Sequence, residues 1–309
     1  MLLSAALLLA VQLTVGCTDQ TGPQSVLAEP PPEHESENSL TPFLDPDKLF
    51  LRSGVVMVVD EDAGSVLFER NTDERRPIAS LTKLMTAMVT LDAGLPEDEV
   101  ITITRADRDR LRGSGSKVSF GTKLSRHDML KIALAGSENR AAAALGRTYP
   151  GGTEAMVAAM NEKARRLGMG DTTFRDPTGL HRGNMSTAAD LVTMVEAAYR
   201  YPAIREFTTV GIDYVTDLRS GWKVRFYNTN RLVRSKMWDI DLSKTGYIAA
   251  AGHCLVMRAE IAGRPVILIL LNSWGELSKY GDANRIRRWL DHADRKARET
   301  ARVAEASEG

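Results

Sequence analysis

Residues 80–91, SLTKLMTAMVTL, are apolar or hydroxylic at every position but one, and the exception is Lys83. Pro77 precedes the run, and no Gly or Pro interrupts it. That pattern predicts a helix buried on all sides, at the centre of a domain rather than on its surface. A lysine in such a helix is costly unless it does something, because burial disfavours its charged form. On a helix, residues three apart share a face, so Lys83 can reach the hydroxyl of Ser80. The helix N-terminus also sets free N–H groups and partial positive charge beside that hydroxyl. A serine becomes a nucleophile when a base takes its proton, and a neutral lysine can be that base.

The surroundings of this helix define the fold class. Before it, SGVVMVVD (53–60) and SVLFER (65–70) are strands joined through Asp62-Ala63-Gly64. After it come helical patterns over 126–148 on either side of Gly136, over 153–167, and over 186–200 with Ser186 or Thr187 as cap. Strand character returns at Leu242–Gly246, His253–Glu260 and Pro265–Leu271, the last two flanking the turn Ile261-Ala262-Gly263. A charged helix begins at Asp282. Strands at both ends with helices between predict an α+β fold. Its antiparallel sheet is made from the first and last segments, with helices flanking it and a helical subdomain inserted.

The 309 residues carry 40 basic and 40 acidic side chains, and 43% are apolar. A sizeable core can form, and zero net charge gives no electrostatic reason for a nucleic-acid partner. Two cysteines, Cys17 and Cys254, are too few for a disulfide framework. Five scattered histidines without an HExxH pattern offer no metal-peptidase site, and no cofactor is implied. Residues 1–17, MLLSAALLLAVQLTVGC, are uncharged and apolar, as in the h-region of an export signal. Their end resembles a lipobox, with small Gly16 before Cys17 but Thr14 where Leu is usual. An ordinary signal that contains a cysteine is the alternative. Residues 18–45 are rich in Pro, Glu, Ser and Thr and suit a disordered spacer between an anchor and a body. The reading is thus a signal over 1–17, a linker over 18–45, a catalytic domain over 46–298 and a polar tail over 299–309. The closing stretch offers small or charged side chains and no broad apolar face for a membrane. Periplasmic localisation follows, with any membrane contact limited to a lipidated Cys17.

Single motifs prove little here. SxxK occurs at Ser80/Lys83, Ser114/Lys117 and Ser220/Lys223, and only the first opens an apolar helix. Taken alone, Ser80 reads as a helix cap and Lys83 as a surface residue. SxN occurs at Ser36/Asn38 in the spacer and at Ser137/Asn139 between two helices, where Ser137 is equally an N-cap. Lys244-Thr245-Gly246 occurs once, at a strand. Their joint order, helix-start SxxK, loop SxN, strand KTG, is the order of penicillin-binding proteins and serine β-lactamases. The chain resembles that superfamily, and within it the low-molecular-weight D-alanyl-D-alanine carboxypeptidases and endopeptidases. The resemblance runs from about residue 50 to 292. It includes PIASLTKLMTAM (77–88), GSENRAAA (136–143), DPTGL (176–180), SKTGY (243–247) and AGHCLV (251–256).

The resemblance implies roles. Ser80 is the acylated nucleophile and Lys83 its proton acceptor. Ser137 bridges Lys83 and the leaving nitrogen, and Asn139 bonds the substrate's backbone amide. Lys244 keeps its charge, biases Lys83 toward neutrality and attracts an anion, while Thr245 bonds the substrate carboxylate. Gly246 lets substrate approach the strand edge, and the Ser80 and Tyr247 amides form the oxyanion hole. Glu138 stands where Asp is common, at a position that need not enter the site. The ExxLN pattern of class A β-lactamases is missing between 150 and 200, so penicillin is expected to acylate Ser80 and stay. The implied partners are peptidoglycan stem peptides and covalent β-lactams. Ser137-Glu-Asn-Arg, Tyr149-Pro-Gly-Gly, Asn228-Thr-Asn and Gly252-His-Cys-Leu-Val-Met-Arg resemble the endopeptidases. A carboxypeptidase trimming pentapeptide stems, or a scaffold that keeps the fold without the reaction, is the alternative.

Overall fold

The computed structural model describes residues 40–308; the signal, Cys17 and most of the predicted spacer lie outside the described residues. Among the described residues the elements run, in order, β1 (Ser53–Asp60), β2 (Ser65–Arg70), β3 (Arg76–Pro77), α1 (Thr82–Asp92), β4 (Val100–Thr102), β5 (Lys123–Ser125), α2 (Arg126–Ala135), α3 (Asn139–Arg147), α4 (Gly152–Arg166), β6 (Met185–Ser186), α5 (Ala188–Tyr199), α6 (Pro202–Thr209), β7 (Ile212–Thr216), β8 (Lys223–Tyr227), β9 (Asp239–Ile248), β10 (Gly252–Ile261), β11 (Arg264–Ser273) and α7 (Ser278–Glu308). The main sheet has five antiparallel strands in the order β2-β1-β11-β10-β9. First and last segments therefore share one sheet, as the α+β expectation required, because β11 returns to pair with β1.

Strand periodicity divides the core in two. Val55, Val256, Ile267, Ile269 and Leu271 face the inserted helices and join one apolar cluster with α1, α2 and α5. Val56, Val58, Leu255, Leu268 and Leu270 face the other way and pack under α7 through Ala283, Ile286 and Leu290. Leu40, within the stretch read as spacer, is buried in this second cluster, and Thr41–Phe43 forms a 3-10 turn. The body thus begins before residue 46. The terminal helix starts at Ser278 instead of Asp282 and continues through the segment read as a polar tail.

Helix α1 is buried continuously from Thr82 to Thr90. Its three threonines are tolerated there because their hydroxyls donate to carbonyls: Thr82 to Ala79, Thr86 to Pro177 and Thr90 to Thr86. Helical pattern over 126–148 resolves into α2 and α3, broken at residues 136–138. Thr187, not Ser186, caps α5 by accepting the Asp190 amide. Helix α6 and the hairpin β7–β8 have no counterpart in the periodicity reading. They are short, and the hairpin alternates half-exposed residues with only Val215 and Phe226 buried.

Asp282 fastens α7 to the sheet. Its fully buried carboxylate accepts from the Ser53 amide at 2.7 Å, the Ser53 hydroxyl at 2.6 Å and the Arg52 amide at 3.0 Å. Asp282→Ala strands these buried donors, so it should lower the unfolding free energy by about 3 kcal/mol. Urea unfolding measures this, and a loss below about 1 kcal/mol would show that α7 is held by its apolar face alone.

Candidate functional site

The site lies where α1, the α2–α3 loop, the 176–184 segment and edge strand β9 meet. Ser80 stands in the 3-10 turn Ala79–Leu81 that leads into α1. This turn is forced into shape from both sides. Ala79 takes a positive φ of 49°, and Gly179 and Gly246 press against it. A Cβ on Gly179 would meet the Ala79 carbonyl oxygen at 2.0 Å. One on Gly246 would stand 3.0 Å from the Ser80 nitrogen. Gly246 thus makes room for the protein's own serine turn, a use that differs from the expected approach of substrate.

Lys83 is 1% exposed, and its ammonium is held by three acceptors. It reaches the Ser80 Oγ at 2.9 Å, the Asn139 Oδ1 at 2.8 Å and the Thr178 carbonyl at 2.6 Å. Asn139 is at the head of α3, and its amide nitrogen donates to Ser114 Oγ at 2.8 Å. The carbonyl of Thr178 is aimed by Asp176, whose carboxylate accepts from the Thr178 hydroxyl at 2.6 Å and the Gly179 amide at 2.8 Å. Asn184, fully buried, ties this turn to the head of α1 through Thr82 Oγ1 at 3.0 Å, while its carbonyl accepts the Ile78 amide at 3.0 Å.

Ser137 sits in the left-handed region, φ 54°, a conformation that strains a non-glycine residue. Its Oγ accepts from Lys244 Nζ at 2.8 Å, and the same ammonium reaches the Thr245 carbonyl at 3.0 Å. The expected Ser137–Lys83 bridge is thus not among the hydrogen bonds formed. Asn139 occupies the third contact of Lys83, and Ser137 turns to the second lysine. Nor does Ser137 cap α3; the Glu138 carboxylate does so by accepting the Arg140 amide at 3.1 Å. Glu138 also accepts from the Ser116 hydroxyl and the Lys117 amide, so its side chain braces the 114–118 loop outside the cleft.

Burial pushes the Lys83 ammonium down to about 8, against the opposing pull of Asp176 and Glu138. Lys244 is also pushed well below the ordinary ammonium range, first by burial and then by the charge of Lys83. Lys244 therefore holds its proton less firmly than an exposed lysine would. Two ammonium groups in one dry pocket compete for protonation, and an anion placed beside Lys244 would tip the balance toward its charged form.

Strand β9 brings the rest. Thr245 Oγ1 donates to Thr229 Oγ1 at 2.7 Å. Tyr247 projects its ring outward, stacked on His253 at 4.3 Å between centroids. Being the sheet edge, β9 leaves one row of backbone groups unpaired by the sheet. Cys254 is buried core, its thiol raised to about 11 by burial. Of the two other SxxK matches, Ser220 closes a turn on Asp217, while Ser114 borders the site without its Lys117, whose ammonium lies 6.0 Å from the Tyr227 ring. Sequence reasoning assigned no role to Ser114, Thr178, Asn184 or Thr229. The DPTGL stretch was the available signal for Thr178, but it contributes a backbone carbonyl, which no residue type announces.

Gly179→Ala should disrupt the Ser80 turn while sparing the core. Acylation by a fluorescent penicillin is expected to fall at least tenfold, with the thermal midpoint shifted by only a few degrees. Undiminished labelling would show that the 79–80 turn relaxes freely.

The chain is 47% identical over 241 residues to a D-alanyl-D-alanine endopeptidase of Pseudomonas aeruginosa, covering 78% of each chain. It is 44% identical over 241 residues to a D-alanyl-D-alanine endopeptidase of Escherichia coli, again covering 78% of each. Among solved structures, the Streptomyces K15 DD-transpeptidase superposes with a TM-score of 0.71 at 26% identity, over 78% of this chain and 97% of that one. Penicillin-binding protein D2 of Listeria monocytogenes, in its ampicillin-bound form, gives 0.68 at 29% identity, over 78% and 98%. Residues 45–275 match the S11 peptidase family, described as D-alanyl-D-alanine carboxypeptidase, and the chain belongs to that family.

Proposed function

We propose that this serine DD-peptidase opens D-alanyl cross-links between peptidoglycan stems, through an acyl-enzyme on Ser80. The observation that carries the reading is the buried Lys83. Two fixed acceptors, Asn139 Oδ1 and the Thr178 carbonyl, take two N–H groups of a neutral amine. They leave its lone pair aimed at the Ser80 hydroxyl, 2.9 Å away. Lys83 takes the Ser80 proton as Oγ attacks the D-alanyl carbonyl. The amides of Ser80 and Tyr247 stabilise the oxyanion. As the C–N bond breaks, the Ser137 hydroxyl gives its proton to the leaving nitrogen and takes one from Lys244, 2.8 Å away; Lys244 is recharged by the proton that Lys83 took from Ser80, which returns Lys83 to neutral. Water then hydrolyses the ester, with Lys83 again as base.

Lys244 and Thr245 hold an anion next to the cleaved bond. In a diaminopimelate wall, the leaving D-centre of a cross-link carries a carboxylate, as a terminal D-Ala does. The names of the relatives at 47% and 44% identity support the endopeptidase reading. A carboxypeptidase reading is supported by the family description and by a DacF relative from Bacillus subtilis, 32% identical over 223 residues. Ampicillin on the Listeria protein supports β-lactams as covalent ligands of Ser80. The leader over 1–17 supports export to the periplasm, with Cys17 as a lipid attachment point.

Purified protein given cross-linked dimer muropeptides should release monomers, and Ser80→Ala should release none. Release of D-Ala from pentapeptides with dimers left intact would make it a carboxypeptidase. The pH dependence follows from Lys83. The active form is neutral and the folded value is about 8. β-Lactam acylation should therefore rise with pH toward a plateau above about 8, and at pH 7 run at about a tenth of the limiting rate. A profile flat from pH 6 to 9 would remove Lys83 as the base.

A further inference from the structure

The 105–113 loop lines two clefts that adjoin the site. The smaller, about 180 Å³, is bounded by Arg108, Asp109 and Arg110 on one side and by Asn139, Asp176 and Thr178 on the other. The larger, about 750 Å³, shares Arg108, Asp109 and Arg110 with it and is lined also by Arg105, Gly113 and Phe120. Neither cleft includes a residue of β9. The smaller includes Asn139 and Thr178, two of the groups that hold Lys83, so a substrate whose leaving half sits on Lys244 and Thr245 has its acyl half free to run toward it.

The charges in these clefts are asymmetric in their partners. Among the described residues Asp107 is met by a cation, while Asp109 and Asp176 are met by neutral donors that do not cancel their charge, so the three arginines outnumber two remaining carboxylates. Asp107 pairs with Arg147 at 2.8 Å, Asp109 accepts the amides of Leu111, Arg112 and Ser114, and Asp176 accepts from Thr178 and Gly179. Arg105, Arg108 and Arg110 are exposed, and among the described residues none forms an ion pair or donates a side-chain hydrogen bond. Asp109 folds the loop on itself and so holds these guanidinium groups at the cleft without neutralising them. A row of uncommitted guanidinium groups beside a peptide-binding site suits carboxylates, which they grip in a bidentate fork.

We propose that Arg105, Arg108 and Arg110 form an acidic-stem subsite. It binds the free carboxylates of the donor stem peptide, upstream of the D-alanyl residue that acylates Ser80. This rests on the DD-peptidase reading above, and it adds a preference: stems with free carboxylates are better substrates than stems whose carboxylates are amidated.

The test compares kcat/KM for the two stem forms, free and amidated, in the unaltered protein and in the triple variant Arg105→Gln, Arg108→Gln, Arg110→Gln. The unaltered protein should favour the free form at least about tenfold, and the ratio should fall toward one in the variant. In the unaltered protein alone, the ratio should also shrink on raising NaCl from 0.05 to about 0.5 M, because exposed charges are screened. A ratio near one before mutation, or a ratio the variant retains, overturns the subsite. Running both cross-linked dimers and uncross-linked pentapeptides separates the two readings. If dimers are not cut, the endopeptidase reading fails, while D-Ala release from free and amidated pentapeptides still decides the subsite, since the donor stem is common to both.

Discussion

The structure depends on one interaction, the burial of the Lys83 ammonium with its donors committed to Ser80, Asn139 and the Thr178 carbonyl. An uncompensated ammonium in this interior would cost on the order of several kcal/mol, so the closed core needs these acceptors in place. That requirement explains why three chain segments, some 95 residues apart at the extremes, converge on the first turn of α1. It also explains the machinery behind the acceptors. Asp176 and Asn184 fix the turn that carries the Thr178 carbonyl, and Ser114 orients the Asn139 amide. The groups that stabilise the charged lysine oppose the burial that lowers its proton affinity, and burial is the larger effect.

The second lysine makes the site a coupled pair. Lys244 comes from the edge of the sheet and Lys83 from the central helix, so their mutual repulsion is set by how closely β9 packs on the Ser80 turn. Gly246 governs that approach, since a Cβ there would stand 3.0 Å from atoms of residues 78–80 and make them give way. Sheet, turn and proton distribution are therefore one problem. An anionic substrate on the Lys244 side would draw charge to that lysine and leave Lys83 neutral, so binding and activation of the base are linked through electrostatics. The arginine loop on the opposite side stands outside this pair and acts on the far half of the substrate.

Much of this was legible in the chain. Residues 80–91 gave a buried helix with one lysine, and the strand pattern at both ends gave a sheet closed by its terminal segments. The joint order of SxxK, SxN and KTG led to the family that residues 45–275 match. The unread parts share a physical character. Thr178 acts through its carbonyl, which every residue has, and Ala79 acts through backbone conformation. Thr229 and Ser114 enter because neighbouring loops are pressed together, and a hydroxyl in a loop carries no periodicity. The hairpin β7–β8 escaped because it is short and half-exposed, which leaves little hydrophobic alternation.

The sequence by itself determined which chemistry is present: a serine at a helix start, a lysine three residues on, and a second lysine on a strand, in the order of one peptidase family. Periodicity and composition suffice for that, because they act locally along the chain. Only the tertiary structure decided which partners each group has. Lys83 bonds Asn139 where a bond to Ser137 was expected, and Lys244 takes Ser137. Gly246 serves the fold's own turn. These outcomes depend on which segments pack against one another at distances of about 3 Å, and that is set by the closure of the core around a buried charge, not by the order of residues along the chain.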